Sequence, residues 1–331
     1  MRAAWYDEQG PAAKVLQVGE LPDPEPGPGE VRVSIAVSAV HVGDLGKRQG
    51  WWGSTMTYPR VIPHGDGAGI IGRVGAGVDA ARVGERVWVY LAQSYRPFGT
   101  AAEFVVVPAE HAVAIPAELS FDDVAGLGIP GITGHRAVFA AGPVEGRTIV
   151  VTGALGAVGR AALAVAKRGG AKTIAVVRRS ADLPAARELG ADHTLAADHT
   201  LDADSGLVAQ VNELVGPDGV DLVAEVAFDT GLSVDVELLR YGGTITTYAT
   251  RETQPTVPYW ELAFKNLTLR FLSNDDFPEE ANRTAAADLT AAVQSGDLRY
   301  PIAARLPLDQ IATAHDLAET TPAGHRVLIT P

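Results

Sequence analysis

The chain has 331 residues, 47% of them hydrophobic and 20% charged, with a formal net charge of −13 and no cysteine. The length supports two domains with sizeable cores, and the acidic balance excludes nucleic acid and anionic membrane as general partners. The missing thiols exclude disulfides, a thiolate nucleophile and cysteine-ligated zinc. Met1 to Glu8 lacks the apolar core of a signal peptide, and no run is long enough to cross a bilayer, so a cytoplasmic location is expected.

The first third reads as β-rich. Leu21 to Gly29, with four prolines, is a stiff loop that cannot supply a ladder of backbone donors. Alternation predicts a half-exposed strand over Glu30–Val37, and glycine-punctuated strands follow at Ala68–Val74, Arg86–Tyr90 and Ala102–Val107. These suit a compact, irregular, barrel-like domain. After Phe121 the rhythm changes. Strands at Thr148–Thr152, Thr173–Val177, His193–Leu195, Val220–Val226 and Gly243–Tyr248 alternate with helices that include Asp182–Leu189, Ser205–Val215 and Thr230–Arg240. Such alternation implies a parallel sheet covered on both faces, with Thr268–Leu272 as its last strand. A helix over Glu279–Ser295 and a strand over Arg326–Thr330 are read as a return to the first domain. The expected division is 1–122 with 274–331, interrupted by 123–273.

The most informative stretch is Thr148 to Arg168. A β-branched strand breaks into Gly153-Ala154-Leu155-Gly156-Ala157-Val158-Gly159 and resumes as an apolar-periodic helix over Arg160–Arg168. Strand, glycine turn and helix form a diphosphate cradle. Gly156 lets backbone approach the pyrophosphate at the helix N-terminus, and Gly159 lets helix pack on strand. Ala154 replaces the motif's first glycine. At the end of the next strand, where an NAD site places an acid, stand Arg178, Arg179 and Ser180. Two guanidiniums and a hydroxyl suit a 2′-phosphate, so NADPH is the expected cofactor. The alternative is a pair of solvated charges before a helix.

In order along its length, the chain resembles the medium-chain dehydrogenase/reductase superfamily, in its zinc-independent quinone oxidoreductase branch. The resemblance rests on Val40 to Asp44 with Arg48 to Gly50, Pro63 to Gly69 with Val74 to Val78, Val83 to Val87, Phe98 to Phe104, Pro130 to Gly134, the glycine cradle, Leu189 to His193 and Gly324 to Leu328. It implies an α/β chain with a Rossmann doubly wound parallel sheet inserted in a GroES-like β-rich catalytic domain. It also implies a homodimer, which the apolar edge strand Thr268–Leu272 suits, and a role for Thr133 near the nicotinamide. Zinc-dependent relatives have Cys where this chain has His41 and His where it has Gly65, and their four-cysteine lobe has no counterpart here. His64 lies one residue off the ligand position and on an extended backbone points to the other face. No bound metal is expected, the alternative being a cluster of His41, His64 and Asp66. Quinone reductases carry Asn at His41 and Tyr at Gly46, while Trp51 and Trp52 offer an aromatic wall instead.

Without a metal, the site must hold the nicotinamide near an electrophilic carbon and stabilise charge on a carbonyl oxygen. The candidate donors and pocket walls are His41, Trp52, Tyr58 and Tyr95, against the plain reading of aromatic packing. Asp44 is read as a cap of the short helix before Gly50. Tyr248, after the fifth sheet strand, is placed against the cofactor, and Glu225 is read as stabilising a strand end. The expected function is NADPH-dependent hydride transfer to a quinone or activated C=C bond of a small, flat, apolar acceptor. The alternatives are a ketone or imine reductase using His41 as proton donor, and a non-catalytic NADPH-binding protein.

Overall fold

The structure, a computed structural model, describes residues 1–197 and 206–331, the side chain of Trp52 excepted. Two compact units emerge, one of residues 1–130 with 299–331 and one of 131–298.

The first unit begins with β1 (Arg2–Trp5), α1 (Ala12–Val15), β2 (Gln17–Glu20), β3 (Glu30–Val40) and α2 (Val42–Gln49). It continues through β4 (Asp66–Val74), β5 (Arg86–Val89), β6 (Phe104–Pro108), β7 (Ala112–Ala114) and α3 (Phe121–Val124). β1 pairs with β2, and the main sheet runs through β3, β4, β5 and β7, with β6 also on β3. Val31, Val33, Ile71, Val87, Val89, Val105 and Val107 close its core. β3 is longer than its alternation suggests and mostly buried, because strands cover both of its edges. Even Arg32 is buried there, its guanidinium 4.8 Å from the Phe104 ring centroid and bonded to Glu25 and the Pro24 carbonyl.

The second unit runs α4 (Thr133–Phe139), β8 (Thr148–Val151), α5 (Ala157–Arg168), β9 (Lys172–Val177), α6 (Leu183–Arg187), β10 (His193–Ala196) and α7 (Leu207–Val215). Then come β11 (Val220–Glu225), α8 (Phe228–Leu238), β12 (Leu239–Thr247), α9 (Tyr259–Phe264), β13 (Thr268–Phe271) and α10 (Glu279–Gln294). Ser205, the expected start of α7, lies outside the described residues. The six strands are parallel, in the order β10-β9-β8-β11-β12-β13. Numbered within the unit, that is 3-2-1-4-5-6, the dinucleotide-binding order with its crevice outside the carboxyl ends of the two central strands. Apolar side chains of the sheet and of α7, α8 and α9 form one core that includes Val150, Ile174, Val223, Phe228 and Ile245.

The chain then completes the first unit with β14 (Ile302–Pro307), α11 (Ile311–Thr320) and β15 (Arg326–Thr330), which join the main sheet beside β3. The expected boundaries at 122 and 274 need correction. The units change after Pro130 and after Leu298, because α10 packs its Ala285, Ala286 and Leu289 face against α4 and α5 of the nucleotide-binding unit. Among the described residues no helix is long and apolar enough to cross a membrane.

Candidate functional site

Helix α5 begins three residues before the expected start at Arg160, at Ala157, with Gly156 as its N-cap. The first bond that closes the helix runs from Arg160 N–H to Gly156 O, so the N–H groups of Ala157, Val158 and Gly159 open the helix toward the turn. Gly153 has φ +57°, and a Cβ on Gly159 would fall 2.5 Å from Gly153 O. A side chain on Gly159 would push helix and turn apart, and one on Gly153 would strain the backbone and strike Val226, so both glycines are structural requirements of the cradle. Ala154 occupies the motif's first-glycine position with its methyl fully buried and its N–H bonded to Val176 O, which explains why a side chain is tolerated there. Arg160, which sequence reasoning passed over, turns its Nε to Leu155 O and brings a cation to the helix start. Open donors, a helix N-terminus and a basic side chain fit a dinucleotide diphosphate.

Arg178, Arg179 and Ser180 are exposed just beyond β9. Arg179 is engaged by Asp182, Nε to Oδ2 at 2.9 Å and Nη2 to Oδ1 at 2.8 Å, and this pair holds the Asp182 carboxyl below its ordinary range. Asp182, three residues on, thus competes with a phosphate for the Arg179 guanidinium. Thr133 is the first residue of α4, and its hydroxyl reaches Asn274 Oδ1 at 3.4 Å. Tyr248 follows β12 half-buried, its phenol pushed up by burial and by the nearby Glu225 carboxyl.

In the first unit, His41 is 4% exposed at the N-cap of α2. Asp44 Oδ2 accepts from its backbone N–H at 2.8 Å, the capping role expected of Asp44. Arg326 Nη1 donates to His41 Nδ1 at 3.2 Å, which leaves the ring proton on Nε2. Nε2 lies 2.6 Å from Asp66 Oδ2, but its N–H axis misses that oxygen, so the approach is close without being an aligned hydrogen bond. Asp66 Oδ2 accepts from Ile129 N–H at 2.7 Å, while Oδ1 has no hydrogen-bond partner. A histidine N–H and a carboxylate oxygen thus remain with unspent hydrogen-bonding capacity in a buried place.

His64 is not extended as expected; it has φ +76°. Its ring bonds Ser38 Oγ through Nδ1 at 2.8 Å and His315 Nε2 through Nε2 at 3.0 Å. Arg48 Nε donates to His315 Nδ1 at 3.2 Å, and because a guanidinium only donates, every tautomer in this row is fixed. His315 donates to His64, His64 to Ser38, Ser38 to Thr100 Oγ1 at 2.7 Å, and Thr100 to Asp66 O at 2.6 Å. Burial holds both imidazoles neutral. It lowers His64 well below its usual value, and lowers His315 to about 3 with help from the Arg48 charge.

Of the remaining candidates, the Tyr58 hydroxyl donates to the Tyr95 carbonyl, which brings those two residues together. Tyr58 packs beside Tyr6, Val15 and Val61, and the Tyr95 ring is exposed on a residue with φ +50°. Trp52 lies in the turn Trp51–Gly53, and its side chain is outside the described residues.

Comparisons with known proteins agree with this geometry. The family described as alcohol dehydrogenase GroES-like domain matches residues 27–117, and that described as zinc-binding dehydrogenase matches residues 157–287. The chain belongs to the medium-chain dehydrogenase/reductase superfamily, in its quinone oxidoreductase branch. It is 27% identical to human quinone oxidoreductase over 318 residues, covering 96% of this chain and 93% of the relative. A solved mycobacterial quinone oxidoreductase superposes with a TM-score of 0.87 at 25% identity, and an NAD-dependent alcohol dehydrogenase with 0.84 at 26%, each covering 100% of both chains. The chain is a pyridine-nucleotide oxidoreductase of that superfamily.

One consequence is a pH effect on stability. Burial pushes the Asp44 carboxyl up to about 6, partly countered by His41. A group raised on folding contributes fully below its ordinary value and loses that contribution as pH climbs through the raised one. Asp44→Asn keeps an oxygen for the His41 N–H. Relative to wild type it should gain stability between about pH 4 and 6, reaching about 2–3 kcal/mol. Chemical unfolding at a series of pH values checks this, and a difference independent of pH would contradict it.

Proposed function

We propose that this oxidoreductase uses NADPH and delivers hydride, without a bound metal, to a quinone or an activated C=C bond. The observation that carries the cofactor choice is the end of β9, where Arg178, Arg179 and Ser180 stand exposed and no acid occupies the ribose position. Fold likeness does not choose between cofactors, since an NAD-dependent alcohol dehydrogenase shares the architecture. The strand end supports NADPH. The bound dinucleotide would supply the hydride. The opening N–H groups of α5 would hold its diphosphate, Arg178 and Arg179 its 2′-phosphate, and Thr133 and Tyr248 would line its path.

Support for a quinone-type acceptor comes from the names of the relatives and from the aromatic residues Trp52, Tyr58 and Tyr95 near His41 in sequence. Metal independence is supported by the donor set. Gly65 offers no ligand, the chain has no cysteine, and the Arg326 cation already sits on His41 Nδ1. The unaligned His41 Nε2–H is the group to polarise an acceptor oxygen, with solvent as the final proton source. The same N–H favours a second reading, reduction of a ketone or imine.

We also propose a homodimer through the edge of the nucleotide-binding sheet. β13 ends that sheet with Phe271 exposed, and Tyr259, Trp260 and Phe264 of α9 are exposed beside one another, Trp260 stacked on Phe264 at 5.6 Å between ring centroids. An open strand edge flanked by an aromatic cluster suits a second copy related by a two-fold axis.

Replacing Arg178 and Arg179 with alanine should weaken NADPH binding at least about ten-fold, since each charge-assisted bond contributes about 1.5–3 kcal/mol, and should leave NADH nearly unchanged. Asp182→Asn should release Arg179 and tighten NADPH. Equal affinity of the wild type for the two cofactors, measured by fluorescence titration, would sink the NADPH assignment.

A panel of quinones, enones, enoyl thioesters, ketones and imines, run with and without a chelator, tests the chemistry. Turnover of the first three classes is expected, insensitive to chelation, with His41→Ala reducing turnover while NADPH binding persists. Loss of activity on removal of stoichiometric zinc would reverse the metal assignment.

Sedimentation at micromolar concentration should give a dimer, and Trp260→Glu should shift it toward monomer. A monomeric wild type would rule the interface out.

A further inference from the structure

Two buried acids have no part in the chemistry above. Glu225 ends β11 at 0% exposure, and Asp235 lies on α8 at 1%. Gly231, one turn before Asp235, makes room for Glu225, since a Cβ there would fall 2.7 Å from Glu225 Oε2. Neither acid is matched by a cation among the described residues. On α4, which packs against β11, His135 bonds Asp288 and Arg136 lies over the Phe277 ring. At the start of α8, Asp229 pairs with Arg251; at its end, Lys265 donates to the carbonyls of Val236, Glu237 and Leu239. On α7, packed on α8, Glu213 is exposed. Beyond β12, Tyr248 presents a phenol, and beyond β8, Thr152 a hydroxyl.

Two facing carboxyls in such a place cannot both ionise. Burial raises both, and for Asp235 the Glu225 charge adds to the effect. Glu225 Oε2 and Asp235 Oδ2 are both buried without a hydrogen-bond partner, and a proton shared by the two carboxyls would satisfy both. The remaining oxygen, Glu225 Oε1, accepts from Ala227 N–H, while Val226 N–H bonds Thr152 Oγ1 at 3.0 Å. Val226 is thereby fixed from both sides. Its Cγ1 lies 2.7 Å from where a Cβ of Gly153 would stand, so it forms the floor of the glycine turn.

We propose that Glu225 and Asp235 are positioning residues for the dinucleotide: their shared proton ties the end of β11 to α8, sets Val226 under Gly153, and makes cofactor binding depend on the pair staying protonated. This rests on the reading of the glycine turn as the dinucleotide cradle. Loss of the proton places two negative charges together, drives β11 and α8 apart locally and frees Val226. The sign follows from a proton held more tightly in the ordered state: affinity is full while the pair keeps its proton and falls as rising pH removes it.

The test is the dissociation constant of NADPH for the full chain, by fluorescence titration between about pH 7 and 10. Wild type should lose affinity with rising pH, by up to about ten-fold per unit in the steepest region. Asp235→Asn, whose amide donates to Glu225 with no proton to lose, should bind as wild type does at neutral pH and flatten the profile. Glu225→Gln should do the same and serves if the first variant does not fold. Gly156→Glu, which places a carboxylate at the start of α5, should weaken NADPH at every pH. If Gly156→Glu has no effect, the cradle reading fails. If it weakens binding while both amide variants keep the wild-type slope, the cradle stands and the positioning role is overturned.

Discussion

The first unit is organised around one constraint, the burial of the Asp66 carboxylate at the start of β4. A charge removed from water must be surrounded by donors, and here the donors come from distant parts of the chain. Ile129 N–H reaches Oδ2, His41 approaches it from the start of α2, and Arg326 of β15 steadies His41 from behind. The Asp66 carbonyl ends the row that begins at Arg48 and passes through His315, His64, Ser38 and Thr100. Because Arg48 can only donate, each hydroxyl and ring has a single orientation. A directed row of this kind compensates the unfavourable φ of His64, which an isolated histidine would not keep.

The second unit meets its demands with small residues rather than with charge. Gly153, Gly156 and Gly159 bring backbone to backbone, and Gly134 lets α4 lie on α5, since a Cβ there would stand 2.6 Å from Val158 O. The close approach leaves the first turn of α5 facing the carboxyl ends of β8 and β11, where the strand order reverses. Ionisable groups buried near that turn, Glu225, Asp235 and the Tyr248 phenol, are all in neutral or proton-sharing states that burial imposes. A chain that is acidic overall thus keeps its negative charge off the cradle and sets two arginines at the end of β9.

Much of the fold was legible in residues that work locally. The β8–α5 unit follows from a β-branched run, a glycine turn and an amphipathic helix, and those patterns act over a few residues. β1, β2, β7 and β14 escaped because three- to six-residue strands carry too little alternation, and their pairing is decided by partners far away in the chain. The domain assignment of α10 failed for the same reason. Its alanine-rich face is equally suited to either unit, and only the surface of α4 and α5 selects one.

In the candidate site the division is sharper. The sequence by itself determined the cradle, the absence of an acid after β9, the lack of thiols and the capping of α2 by Asp44, because each depends on neighbours within a turn or two. Only the tertiary structure decided that Arg179 is held by Asp182, that His64 belongs to a row with Arg48 and His315, that Arg326 fixes the tautomer of His41, and that Glu225 faces Asp235. Apart from the surface pair, these contacts join residues on different elements, from 10 to 285 positions apart. Burial makes them energetically decisive, yet no local pattern records which polar groups will share the same dry space.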